Sequence, residues 1–256
     1  MHLDLWQWFF GVSAAVIVGV SKTGVPGVGI LVVTLLAMAF GGRQSVGIML
    51  PMLIFADVFA VIWYHRHTQW DKLLRLFPWV VVGMAVGAVS MWLVGKSQST
   101  KDILGIIIGA LIIVMLVLHL LRSHMNDRLT PHSRAGVAST GVFAGFTTTV
   151  SNAAGPIMTI YLSALGMSKK EFMGTSAWYF FIINVSKVPI YIFLTMLNPA
   201  KPVISAHSLI IDAVLLPGIL GGVFLGKWML PRISQRAFND TVLFLAAIGA
   251  IKLIIN

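Results

Sequence analysis

Two lysines and an aspartate stand inside apolar sequence, where a charge is costly. Lys22 lies in Gly19-Val20-Ser21-Lys22-Thr23-Gly24, Asp57 in the run from Val46 to Tyr64, and Lys187 in Asn184-Val185-Ser186-Lys187-Val188-Pro189. An ionisable group in such an element marks a functional site by default, because hydrocarbon cannot solvate it. For Lys22 the alternative is a buried stem whose ammonium snorkels to a lipid interface. For Lys187, a partnership with Asp57 or with a carbonyl freed by Pro189 competes with solute contact. Asp57 is read first as a structural ion-pair partner, then as a proton carrier or a group facing a water-filled crevice. Asp212, about one turn inside a later apolar run, is expected to be exposed at an interface.

The chemistry on offer is recognition of charge. There is no cysteine, and neither a Gly-x-Ser-x-Gly elbow nor a His-Glu-x-x-His pair occurs, so the usual nucleophile and metal-hydrolase signatures are missing. His65 and His67 flank Arg66 at a segment end and are expected to be solvated. The expectation is a protein that is not an enzyme and that carries no cofactor or metal.

Two breaks in the apolar pattern supply the other half of a charge-binding site. Ser21 to Gly29 contains Ser21, Thr23, Gly24, Gly27 and Gly29 as well as Lys22; Thr147 to Pro156 contains Thr147, Thr148, Thr149, Ser151, Asn152 and Gly155. Irregular backbone at membrane depth is tolerated only where protein or water lines it. Helices starting after each break, near Pro26-Gly27 and Ala153-Ala154, would aim unpaired N–H groups and positive dipole ends into a shared pocket, an arrangement that favours an anion. Pro26 and Pro156 suit a first helical turn. Asp57, Asn184 and Lys187 are candidates for coupling or gating. Trp178 is placed to wall the pocket, with packing against neighbouring helices as its plainer role.

The elements that must position these residues are membrane helices. Of 256 residues, 58% are hydrophobic and 10% charged, against roughly 25% charged in soluble domains. Apolar runs at Leu5 to Val20, Val46 to Tyr64, Leu73 to Val94, Ile103 to Leu121, Phe172 to Leu197, Leu209 to Leu230 and Thr241 to Ile255 mostly approach the ~20 residues needed to span a bilayer. The N-terminus lacks a basic n-region and a small-residue cleavage site, so the first run is expected to be retained. The net charge of +10 falls in loops between spans, which argues for lipid and against nucleic acid as a partner. Most of the eight tryptophans lie near span ends, as in an interfacial belt.

A shift of 126 residues aligns Gly19 with Gly145, Ser21 with Thr147, Thr23 with Thr149 and Gly29 with Gly155. One residue later in register, Gly47 meets Gly174, Asp57 meets Asn184 and Tyr64 meets Tyr191; a further gap brings Gly83 onto Gly218, Gly87 onto Gly222 and Lys101 onto Arg236. Collinear matches of this kind imply duplication. The expected fold is an all-α polytopic membrane protein of two inverted repeats, residues 1–122 and 135–256, joined by a cytoplasmic linker at 123–134. Each repeat has a broken or re-entrant helix pair followed by three transmembrane helices. The pairs Leu3 to Val20 with Gly27 to Phe40, and Ala135 to Thr149 with Ala153 to Leu165, are short for full spans. Five segments per half would invert one half against the other. One face then collects 11 Lys and Arg against 5 on the other, Lys22 and Lys187 set aside, which makes the first face cytoplasmic and puts both termini outside.

At this point the chain resembles the TauE/SafE sulfite-exporter family of membrane permeases. The resemblance is carried by GVSKTGVPGVGILVVTLLA from Gly19 to Ala37, GIMLPMLIFADVFAVIWYHR from Gly47 to Arg66, and AGFTTTVSNAAGPIMTIYL from Ala144 to Leu162. Ser151-Asn152-Ala153-Ala154-Gly155-Pro156 is its most specific element. It implies a permease, often an exporter, for a small sulfur-containing anion such as sulfite or an organosulfonate, multi-pass in the inner membrane of a bacterium. Its functional positions map onto Lys22 to Gly29 and Thr147 to Pro156. A homodimer is an expected assembly. The alternatives are a membrane-embedded enzyme acting on a sulfur or lipid compound, and a non-transporting scaffold.

Overall fold

The computed structural model describes residues 4–24, 28–96, 103–121 and 134–229, together with 251 and 255. Within them the chain forms α1 (Leu5–Thr23), α2 (Gly29–Phe40), α3 (Gly42–Tyr64), α4 (Trp70–Lys96), α5 (Ile103–Leu121), α6 (Arg134–Ser151), α7 (Gly155–Ala164), α8 (Lys169–Leu197) and α9 (Ala206–Met229), with a 3₁₀ turn at His65–His67. Five are long and apolar enough to cross a membrane: α1, α3 with its 3₁₀ extension, α4, α8 and α9. The protein is an all-helical, multi-pass membrane protein. Most of the last apolar run, from Thr241 to Ile255, and the linker up to residue 133 lie outside the described residues.

Local chemistry sets several helix ends. The Asp4 N–H donates to Gln7 Oε1 at 3.2 Å at the start of α1. Ser168 and Glu171 cap α8 reciprocally, with the Ser168 N–H donating to Glu171 Oε2 at 2.9 Å and the Glu171 N–H to Ser168 Oγ at 3.4 Å, as in a capping box. Asn152 ends α6 in the left-handed region, φ 56°, which asparagine tolerates better than most residues. Pro51, Pro78, Pro189 and Pro217 sit inside α3, α4, α8 and α9, where neighbouring helices can satisfy the freed backbone.

The helix ends that flank both breaks lie later along the chain than the sequence pattern predicts. α1 continues through Lys22 to Thr23 and α6 through Ser151, because their small polar side chains bond back to the helix instead of ending it. Thr23 Oγ1 donates to the Gly19 carbonyl at 2.9 Å, Thr149 Oγ1 to Gly145 at 2.9 Å and Ser151 Oγ to Thr147 at 2.9 Å. The second helices of the pairs begin at Gly29 and Gly155, two residues later than expected.

Helix packing joins elements far apart in the chain. The most extensive interfaces join α4 to α6 and α1 to α9, with α3 against α8 next. Each of the first two is a parallel, glycine-lined seam. A Cβ on Gly19 would strike the backbone of Ile219 and Val223, and one on Gly145 would strike that of Val80 and Met84; Gly222 abuts Val16, and Gly83 abuts Val142. Gly226 lies against Val20 and Thr23, while Gly87 lies against Phe146 and Thr149. Such close approach lets apolar helices gain dispersion contact without a hydrophobic driving force.

These seams correct one register. Gly83 plays the part of Gly222 and Gly87 that of Gly226, one helical turn beyond the pairing with Gly218 and Gly222. Pro78 then meets Pro217, a match visible in the sequence. Two tyrosines make like bonds: the Tyr64 hydroxyl donates to the Thr23 carbonyl at 3.1 Å and the Tyr191 hydroxyl to the Thr149 carbonyl at 2.7 Å. α3 and α8 run antiparallel, since Gly174 near the start of α8 abuts Tyr64 at the end of α3, and Gly47 near the start of α3 abuts Val203 beyond the end of α8. Lys101 and Arg236 lie outside the described residues.

Candidate functional site

The two helix breaks meet. Ser21, Lys22, Gly29 and Ile30 from the first, and Thr148, Asn152, Ala153, Gly155, Pro156 and Thr159 from the second, line one cleft closed by α3 and α8 through Met49, Leu53, Asp57, Ala60, Met173, Ser176, Ala177, Phe180 and Asn184. The cleft contains a small cavity of about 60 Å³. Its wall is mixed: lysine, carboxylate, hydroxyl and amide groups on one part, aliphatic, methionine and phenyl groups on another.

Lys22 is held at the cleft by two contacts of different kinds. Its Nζ lies 2.8 Å from Asp57 Oδ1, and its side chain is 10% exposed while that of Asp57 is fully buried. The ammonium also lies 4.0 Å from the centre of the Phe180 ring, a cation–π geometry. Asp57 Oδ2 accepts from Asn184 Nδ2 at 2.6 Å, so α1, α3 and α8 converge on one carboxylate. The lysine therefore pairs across the first half, and not with a lipid interface.

Lys187 does different work. Fully buried, it donates to the Thr148 carbonyl at 3.1 Å, to Thr148 Oγ1 at 3.0 Å and to Asn152 Oδ1 at 2.5 Å. Asn152 in turn donates from Nδ2 to the Val46 carbonyl at 3.1 Å. Lys187 thus rivets the end of α6 to α8, and Asn152 rivets it to α3. Its oxygens come from α6, not from Asp57 and not from a carbonyl opened by Pro189.

The helices after the breaks present their first turns here. Gly29 and Ile30 open α2, and Gly155 and Pro156 open α7. The first N–H groups of a helix have no intrahelical acceptor. A Cβ on Gly155 would meet nothing within 4 Å, whereas one on Gly29 would come within 3.3 Å of Ser21 Oγ.

The remaining sequence candidates lie away from the cleft lining. Thr23 and Gly24 face α9: Thr23 Oγ1 also donates to the Val223 carbonyl at 2.8 Å, and Gly24 abuts Gly226. Thr147, Thr149 and Ser151 are buried with their hydroxyls on carbonyls of α6. Trp178 packs on Trp70 and Phe181 at 5.3 and 5.9 Å between ring centres. Gly27 and Pro26 lie outside the described residues. Phe180, Met49, Met173 and Ser176 were not singled out from sequence. Their signal is the α3/α8 repeat register, which sets Met49 opposite Ser176 and Leu53 opposite Phe180 as it sets Asp57 opposite Asn184.

Comparison with known proteins adds one match. The family described as sulfite exporter TauE/SafE matches residues 11–253. Neither a curated protein nor a solved structure matches the chain.

Proposed function

Because the chain belongs to the sulfite exporter TauE/SafE family, we propose that it exports a small sulfur-containing anion, sulfite or a short organosulfonate, bound in the cleft between the two helix breaks. The observation that carries this reading is the Lys22–Asp57 pair, 2.8 Å apart in the cleft that both breaks and the starts of α2 and α7 line. An entering anion takes the place of Asp57 as the counter-ion of Lys22. Its oxygens accept from the first-turn N–H groups of α2 and α7 and from Ser21, donors that bind without fixed charge. Met49, Leu53 and Phe180 offer apolar contact to an organic substituent.

The halves are inverted about an axis between α3 and α8, and transport rocks one against the other. The antiparallel course of α3 and α8 and the exchanged α1/α9 and α4/α6 seams support this reading. Basic residues support an orientation with the Arg66 and Lys72 face in the cytoplasm of a bacterial cell.

Solute flux into proteoliposomes tests the proposal, with sulfite, sulfate, thiosulfate, sulfoacetate, taurine and chloride as solutes. The expected result is selective flux of a sulfur anion that Lys22→Ala removes. Flux of an unaltered anion excludes the enzyme and scaffold alternatives together. Equal flux in the folded Lys22→Ala variant would take Lys22 out of the site.

A further inference from the structure

Asp212 is a second buried carboxylate, and the cleft does not use it. The sequence places it near a membrane interface, but its residue is only 5% exposed, and neither Oδ1 nor Oδ2 has a hydrogen-bond partner among the described residues. It belongs to the stripe of α9 formed by Ser208, Ile211, Asp212, Leu215, Ile219 and Gly222, the stripe that faces α1. Leu215, one turn further on, touches the Gly11 position, and Gly222 abuts Val16.

The charged and titratable groups of the elements packed on α9 are committed elsewhere. On α3, Arg43 donates to the carbonyls of Lys201 at 2.6 Å and Met91 at 3.1 Å, Asp57 pairs with Lys22 of α1, and Tyr64 reaches Thr23. Asp4 stands exposed at the start of α1. On α9 itself, His207 is exposed, Lys227 lies over the Trp63 ring, and the Ser208 hydroxyl donates to the Ser205 carbonyl at 2.8 Å. An ionised carboxylate without a partner in such a seam carries a desolvation cost that nothing repays.

We propose that Asp212 is a proton-binding site: it holds a proton while the α1/α9 seam is closed and exchanges it with water when the seam opens, coupling proton movement to transport. The proton comes from water at one face, rides on a carboxyl oxygen as the neutral acid, and returns to water at the other. The coupling rests on the transporter reading above; the bound proton does not.

Difference infrared spectroscopy of the purified full chain at neutral pH separates the two. The expected spectrum contains a protonated-carboxyl carbonyl stretch that Asp212→Asn deletes, Asp57→Asn retains and Asp212→Glu shifts, the last variant serving should the first not fold. A spectrum from which neither Asp212 variant removes or moves a band overturns the proton site, whatever the solute. With the band assigned, flux driven by a pH gradient is expected to fall in Asp212→Asn to the level without a gradient. Unchanged gradient-driven flux in that variant overturns the coupling. Absence of flux of any sulfur anion in the parent counts against the substrate reading, because the band is read without solute.

Discussion

Lys22 and Lys187 are two lysines buried by the same bundle, and they differ in what they hold. Lys22 faces the cleft, has a carboxylate 2.8 Å away and is 10% exposed; Lys187 is fully buried on three neutral oxygens of Thr148 and Asn152. A carboxylate beside an accessible ammonium can be exchanged for another anion. Neutral oxygens from the end of a helix cannot leave without unwinding it. Burial of a cation therefore does not by itself identify a binding group; the kind of partner does.

The largest effect is expected at the exchangeable lysine. Lys22→Ala should weaken anion binding at least ~100-fold, about 3 kcal/mol, since it truncates one partner of a desolvated charge pair, and equilibrium titration with the transported anion reads it. Asp57→Asn added to that variant should restore thermal stability and leave binding lost. Recovery of binding would show that the anion is held by something other than Lys22.

Next come the two glycine seams, where the halves should behave alike. Gly19→Ala and Gly145→Ala each force a Cβ into facing backbone, and both should cost about 1–3 kcal/mol by overpacking, read as the shift in thermal unfolding in detergent. A large loss in one and none in the other would break the correspondence between α1/α9 and α4/α6.

Lys187→Met should lower stability by about 2 kcal/mol, because it strands the buried Thr148 and Asn152 acceptors, while Lys22-dependent binding persists. Loss of binding with unchanged stability would reverse the roles assigned to the two lysines. The smallest effects belong to the tyrosines. Tyr191 is fully buried and Tyr64 only partly, so Tyr191→Phe should cost about 1.5 kcal/mol and Tyr64→Phe about 0.5 kcal/mol. Equal costs would indicate that the end of α1 is as well sealed as that of α6.

Much of this architecture is legible in the sequence because lipid constrains pattern so strongly. Glycine spacing marks the close helix seams, and Asp57 opposite Asn184 already names the pair that shares a hydrogen bond at the cleft. The partner of each lysine is not legible, since Lys22 and Lys187 both lie within the same apolar background as Asp57 and only the tertiary fold chooses between them. The threonines mislead for a related reason. Thr23, Thr147 and Thr149 look like free donors, yet a hydroxyl inside a helix bonds most cheaply to its own preceding turn. Asp212 misleads by position: distance from a span end predicts exposure only where no second helix covers that face, and α1 covers it. The slipped glycine register has a simpler cause, because Gly218, Gly222 and Gly226 repeat every four residues and only Pro217 distinguishes one choice from the next.

The central claim concerns where the anion sits. Long-wavelength anomalous diffraction from crystals grown with the transported sulfur anion locates its sulfur directly, with Met49 and Met173 at the cleft as internal standards. The account predicts a peak between the starts of α2 and α7, within hydrogen-bond reach of Lys22 and absent in Lys22→Ala crystals. A peak elsewhere in the molecule, or one unaffected by loss of Lys22, would contradict it.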